Sequence, residues 1–276
     1  MPTTRAGATF YGCRGKIGNG GWGRVSMVMP LWDENPFNKP VKPWVTWGII
    51  ALNVVVFIVE VSYGPNEESF LKTYALTPLA LVHPNSVISM FPVDLTLFTY
   101  MFLHADIFHL LGNMIFLFVF GDDIEEAMGM LRFVVFYLAC GVVGGLVFAA
   151  SAPQSAVPLI GASGACSGVV MAYLMLRPCA KIKVMFFPFF FRLSAFWVIG
   201  IFVATQLYSI LSKPDDDVAY WCHIGGLIAG AVLFPLMRRA DVQLFECIEG
   251  QPAPFGQPSM PDTSRLPGAP REPTIR

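Results

Sequence analysis

Ser163 stands in Leu159-Ile160-Gly161-Ala162-Ser163-Gly164-Ala165-Cys166-Ser167-Gly168, an uncharged, glycine-laced turn that runs straight into the apolar stretch Val169 to Leu176. A serine at such a place opens a helix, where backbone N–H groups without intrahelical partners favour negative charge developing beside them. Gly161 and Gly164 on either side allow another backbone, or a substrate's, to come close. A hydroxyl becomes a nucleophile when a base lies within hydrogen-bond reach, and the chain holds four histidines: His83, His104, His109 and His223. His109 and Asn113 are spaced i, i+4 and project from one helix face. His223 shares a face with Gly226 and Gly230, a G-x-x-x-G that matches a second one, Gly164 and Gly168, on the serine's own helix. Small residues at this spacing let two membrane helices approach closely. What such a set supports is a hydroxyl activated by a neighbouring base, beside further donors brought to the same place.

Those residues need elements to carry them, and the composition says what kind. The chain has 276 residues, 55% hydrophobic and only 13% charged, where a soluble domain carries about 25% charged residues. This is a membrane protein. A net charge of −1 gives no reason to expect a nucleic-acid partner. Six cysteines are scattered without a C-x-x-C pair, so neither a metal site nor a disulfide framework is expected. Cys140, Cys166 and Cys222 fall in apolar segments and read as small hydrophobes. No cofactor is implied.

Hydropathy marks six spans: Trp44 to Val59 with flanks to Tyr63, Ile107 to Phe120, Leu131 to Ala150, Ser163 to Leu176, Ser194 to Leu211, and Trp221 to Met237. Gly121-Asp122-Asp123-Ile124-Glu125-Glu126 reads as the end of the second span, and Arg238-Arg239 as the end of the sixth. The fourth, at roughly 21 Å, is too short to cross a hydrocarbon layer of about 30 Å. Between the first two lies a long connection, Gly64 to about Ala105, whose apolar pieces are too short to span and read as interfacial or re-entrant. The expected fold is an all-α, six-transmembrane-helix bundle with a long, partly membrane-embedded loop between helices 1 and 2. It divides as a cytoplasmic N-terminal tail over 1–43, a catalytic membrane domain over 44–239, and a disordered, proline-rich cytoplasmic tail over 240–276. Lysines and arginines near span ends concentrate in the N-terminal tail, after the fourth span and after the sixth. The positive-inside rule then places both termini in the cytoplasm. In that topology Ser163, His223, His104, His109 and Asn113 share one depth at the outer end.

Taken singly, each has a plain reading: Ser163 as a helix cap, His223 bonded to a neighbouring carbonyl, Asn113 as interhelical glue, His83 solvated in its loop beside Pro84. Independent structural roles have no reason to cluster at one depth, and ionisable groups inside a membrane usually mark function. Phe102-Leu103-His104 with His109-Leu110-Leu111-Gly112-Asn113-Met114, Gly161-Ala162-Ser163-Gly164, and Ala219-Tyr220-Trp221-Cys222-His223-Ile224-Gly225-Gly226 come in that order on the second, fourth and sixth spans. In these pieces, over about residues 30 to 238, the chain resembles the rhomboid family of intramembrane serine proteases.

The resemblance implies Ser163 as nucleophile and His223 as general base, without a third carboxylate. It implies an oxyanion hole from the Ser163 N–H with the side chains of His109 and Asn113, and supporting roles for His104, Gly161 and Gly164. Glu125 matches a structural anchor at the far end of the second span. The implied reaction is hydrolysis of peptide bonds in or near transmembrane segments of other proteins, within the lipid bilayer, by a multi-pass protein of the bacterial inner membrane opening to the outer face. Ser167 stands where many relatives have an aromatic residue, and is a rival nucleophile one turn below Ser163. Leu95-Thr96 replaces a Trp-Arg pair found in some relatives. Two other classes remain: a non-catalytic rhomboid-like binder of membrane proteins, and a haem or proton-transfer protein suggested by the intramembrane histidines. Oligomeric state and physiological substrate are left open.

Overall fold

The first long apolar run forms helix α1, Trp44–Ser62. Its buried residues are the polar ones, Thr46, Asn53 and Glu60, seven residues apart on one face, while Val55, Ile58 and Val59 face outward. A helix in water does the reverse; in lipid, polar side chains turn toward the bundle interior. The computed structural model describes residues 29–33, 42–84, 91–186, 189–212 and 219–247.

After α1 the described residues of the connection to the second span form short pieces, α2 (Glu67–Tyr74), α3 (Pro78–Val82) and α4 (Thr96–Thr99), with 3₁₀ turns before α2, before α4 and after α4. Helix α5 (Ile107–Met128) follows, then α6 (Met130–Ser151), α7 (Ser163–Leu176), α8 (Ala195–Ser212) and α9 (Tyr220–Met237). Among the described residues, α1, α5, α6, α8 and α9 are long and apolar enough to cross a membrane. The sixth member, α7, has 14 residues and packs against α5, α6, α8 and α9, so the shortest of these six occupies the centre. The helical bundle expected from the sequence is the bundle found.

Three features were not foreseen. The acidic run after Phe120 does not end the second span: α5 continues to Met128. Buried Asp123 pairs with buried Arg177 at 3.1 Å. Glu125 receives the backbone N–H of Val45 at 3.0 Å, and the N–H and hydroxyl of Thr46, each at 2.8 Å. The carboxylate thus satisfies the open N-terminus of α1, where negative charge is favoured. Charges with partners inside the bundle need not leave the helix.

A small sheet also joins the helices. Strand β1 (Met29–Asp33) pairs antiparallel with β2 (Lys181–Phe186), and β2 with β3 (Phe189–Ser194). Cys179 and Cys247 form a disulfide, which corrects the expectation of none. Together with backbone bonds from Phe245 to Met175 and from Glu246 to Leu176, it holds the segment after α9 against the end of α7. The remainder of both expected tails, 1–28 and 34–41 at one end and 248–276 at the other, lies outside the described residues.

Helices α7 and α9 touch backbone to backbone. A Cβ built on Gly226 would fall against the Gly164 carbonyl oxygen, and one on Gly230 against that of Gly168. Neither backbone can yield as a flexible side chain could. Gly226→Ala is therefore expected to destabilise the bundle by about 1–3 kcal/mol, the cost of overpacking a filled interior, read as a lower midpoint in unfolding from detergent. An unchanged midpoint would show that the helices can part freely.

Candidate active site

Each site residue is placed by an element that has a local reason to be there. The turn before α7 is pinned by backbone: Leu76 and Leu159 bond to each other reciprocally at 3.1 and 2.8 Å, and the Gly161 N–H donates to the Tyr100 carbonyl at 2.9 Å. Gly161 adopts φ +122°, a conformation that suits glycine. A Cβ there would meet the His109 ring at 2.8 Å and lie 3.8 Å from the Asn113 amide nitrogen. The glycine thus lets the turn press against both side chains that α5 presents to it. At the start of α5, the Asp106 carboxylate caps the helix by accepting from the N–H groups of Phe108 and His109 at 2.8 and 2.9 Å, which fixes the first turn carrying His109.

The first intrahelical bond of α7 runs from the Cys166 N–H to the Ala162 carbonyl at 2.9 Å. The amides of Ser163, Gly164 and Ala165 come before it, at the positive end of the helix dipole. The Ser163 side chain does not cap the helix. Its hydroxyl lies 2.8 Å from His223 Nε2, and both residues are half-buried. The close passage of α7 and α9 brings them together from opposite sides of a shared glycine contact.

His223 is held at its other nitrogen as well: Nδ1 lies 2.7 Å from Gln206 Oε1 on α8. The ring also touches Phe202, centroids 6.3 Å apart, and Tyr220, at 6.4 Å. Gln206 is absent from the sequence-derived set. Its signal was there to use, since it is a polar amide inside an apolar span and such groups are costly in lipid.

The remaining candidates separate. Asn113 is buried and donates through Nδ2 to its own helix, the His109 carbonyl, at 3.1 Å. Ser167 is buried, and its hydroxyl donates to the Ser163 carbonyl at 2.7 Å. A Cβ on Gly164 would meet the Cys222 sulfur and the Tyr100 hydroxyl. His104 is fully buried and packs its ring 5.2 Å from that of His109; its backbone N–H donates to the Glu60 carboxylate at 3.3 Å. Burial, reinforced by the neighbouring His109, pushes the His104 imidazole down to about 3. Among the described residues no cluster of three or more His, Cys, Asp or Glu side chains is arranged to hold a metal.

A sequence model of the rhomboid domain matches residues 94–240. The chain is similar to RHOMBOID-like protein 12, mitochondrial, of Arabidopsis thaliana, 30% identical over 52% of this chain and 46% of that one. It is similar to Rhomboid-like protease 3 of Toxoplasma gondii, 27% identical over 69% and 66%. It also resembles Rhomboid protease GluP of Bacillus subtilis (strain 168), 30% identical over 68% of this chain and 34% of the relative. The chain spans about half the length of the first curated relatives it matches.

The glycine requirement at the turn gives a direct test. Gly161→Ala places a methyl group against His109 in a backbone region that alanine rarely adopts, and is expected to cost about 1–3 kcal/mol in reversible unfolding. Ser167→Ala, which removes only a bond within one helix, is expected to cost under about 1.5 kcal/mol. The reverse order would contradict this account of the turn.

Proposed function

The chain belongs to the rhomboid family, and we propose that it is an intramembrane serine endopeptidase working by a Ser163–His223 dyad. The observation that carries the reading is the 2.8 Å approach of the Ser163 hydroxyl to His223 Nε2, between side chains on separate helices. A structural hydrogen bond alone gives no reason for the pair to sit at a helix N-terminus beside two further donors.

The reaction follows from these positions. Nε2 takes the hydroxyl proton as Ser163 Oγ bonds to the scissile carbonyl carbon, and the carbonyl oxygen becomes an oxyanion. The Ser163 amide and the His109 and Asn113 side chains are the donors we assign to that oxygen, each worth roughly 2.7–4 kcal/mol where such donors have been removed singly. The protonated imidazole then gives its proton to the leaving amine as the C–N bond breaks, leaving an acyl-enzyme. Water, deprotonated by the same nitrogen, attacks the acyl carbon and releases Ser163. The Asn113 NH₂ group carries two hydrogens, and donating one to the His109 carbonyl leaves the second for the substrate oxygen.

The substrate class is another protein's transmembrane segment. A central helix shorter than the hydrocarbon layer leaves its serine end inside that layer, and irregular backbone at membrane depth is tolerated where it lines a wet cavity. The segment must unwind to expose a peptide bond, so helix-breaking or small residues near the cleaved bond favour reaction. The protein is an integral membrane protein. We assign it an orientation with both termini cytoplasmic and the Ser163 end outward, on the distribution of Lys and Arg.

In proteoliposomes carrying a model single-span substrate, wild-type protein is expected to cleave, and Ser163→Ala and His223→Ala to lose cleavage while eluting as folded protein. Asn113→Ala is expected to lower kcat by about 10²–10³-fold. Cleavage retained by Ser163→Ala would reassign the nucleophile. Wild-type protein that binds the substrate and leaves it intact would favour a non-catalytic binder.

A further inference from the structure

Helix α8 lies at the edge of the bundle. Its buried residues are Ala195, Val198, Ile199 and Gln206, so Gln206 alone is buried in the half nearer the serine, between exposed Leu207 and Tyr208 on one side and half-exposed Phe202 on the other. Burying an amide among apolar side chains is unfavourable unless its groups are hydrogen-bonded, and here they are. Nε2 donates to the Phe202 carbonyl and to the Thr205 hydroxyl oxygen, both at 3.4 Å. The Thr205 hydroxyl itself donates to the Phe202 carbonyl at 2.6 Å.

These partners orient the amide. With its NH₂ group facing acceptors on its own helix, Gln206 turns Oε1 toward His223, and Oε1 can only accept. His223 Nδ1 must then carry the ring hydrogen, which leaves the lone pair of the neutral imidazole on Nε2, facing the Ser163 hydroxyl 2.8 Å away. With the opposite tautomer, Nε2 would present a hydrogen to the serine and could not take its proton. We propose that Gln206 is the positioning residue for His223, fixing the tautomer and ring rotation that make it a base toward Ser163. A carboxylate holds the imidazole in the better-known triad; here a neutral amide from a third helix does so, adding orientation but no full charge. The proposal rests on the protease reading above.

Among the described residues the other groups around His223 are Ser163 from α7, Phe202 from α8, Tyr220 from its own helix and His109 of α5. Gln206 is the group that meets Nδ1, so its replacement is the one that can add a charge there.

The test compares wild type, Gln206→Leu and Gln206→Glu in the same proteoliposome assay, across pH. Gln206→Leu removes the acceptor. Its kcat is expected to fall about ten- to a hundredfold, part of the roughly 10²–10⁴-fold that general-base help supplies, with KM within about twofold. Gln206→Glu restores an acceptor and adds charge. It is expected to recover most of kcat at high pH, with the acid limb of kcat/KM moved up by about one unit or more, because a carboxylate stabilises the imidazolium and the active form is the neutral ring. The proposal is overturned if Gln206→Leu keeps its kcat, if only KM changes, or if the acid limb of Gln206→Glu stays put. Should Gln206→Leu fail to elute as folded protein, the Gln206→Glu limb decides alone. An inactive wild type would count against the protease reading itself, whereas an active wild type beside unaffected variants would count only against Gln206.

Discussion

A serine and an imidazole on two membrane helices come within 2.8 Å of each other when the helix backbones themselves are in contact, and between α7 and α9 only glycine fits at the crossing. Gly226 lies against the Gly164 carbonyl and Gly230 against that of Gly168. Without hydrophobic drive between helices in lipid, close packing of this kind is what holds them. The same contact that stabilises the centre of the bundle therefore sets the distance between the Ser163 hydroxyl and the His223 ring. Structure and chemistry share one constraint.

The surroundings refine that distance into an orientation. The pinned turn at Gly161 and the Asp106 cap on α5 bring His109 and Asn113 beside the start of α7. Glu125 ties the opposite end of α5 to the start of α1. Each contact satisfies backbone groups that lipid could not. Polar side chains in this bundle thus serve as fasteners at its ends, and at one end they meet as a site.

Much of this was legible in the residues. Ser163, His223, His109 and Asn113 stand out because polar groups in apolar spans are rare, and the paired G-x-x-x-G spacings say which helices must touch. The bounds of α7 follow from its composition alone. What escaped depended on partners far away in the chain. Asp123 looked like the end of a helix because Arg177, its partner, lies beyond two further spans. The pairing of β1 with β2 joins segments about 150 residues apart, and the Cys179–Cys247 bond likewise links positions 68 apart; spacing alone specifies neither. Gln206 was missed for a different reason: the sequence shows a polar residue in α8 but not that it points at an imidazole on α9.

The central claim is that one hydroxyl, Ser163, is activated by one imidazole. It is tested most directly by the rate at which a serine-directed fluorophosphonate modifies the detergent-solubilised protein, with the modified residue located by peptide mapping. The account predicts modification at Ser163 in the wild type and a rate lower by about 10²-fold or more in His223→Ala. Modification at Ser167, or an equal rate at Ser163 in both proteins, would contradict it.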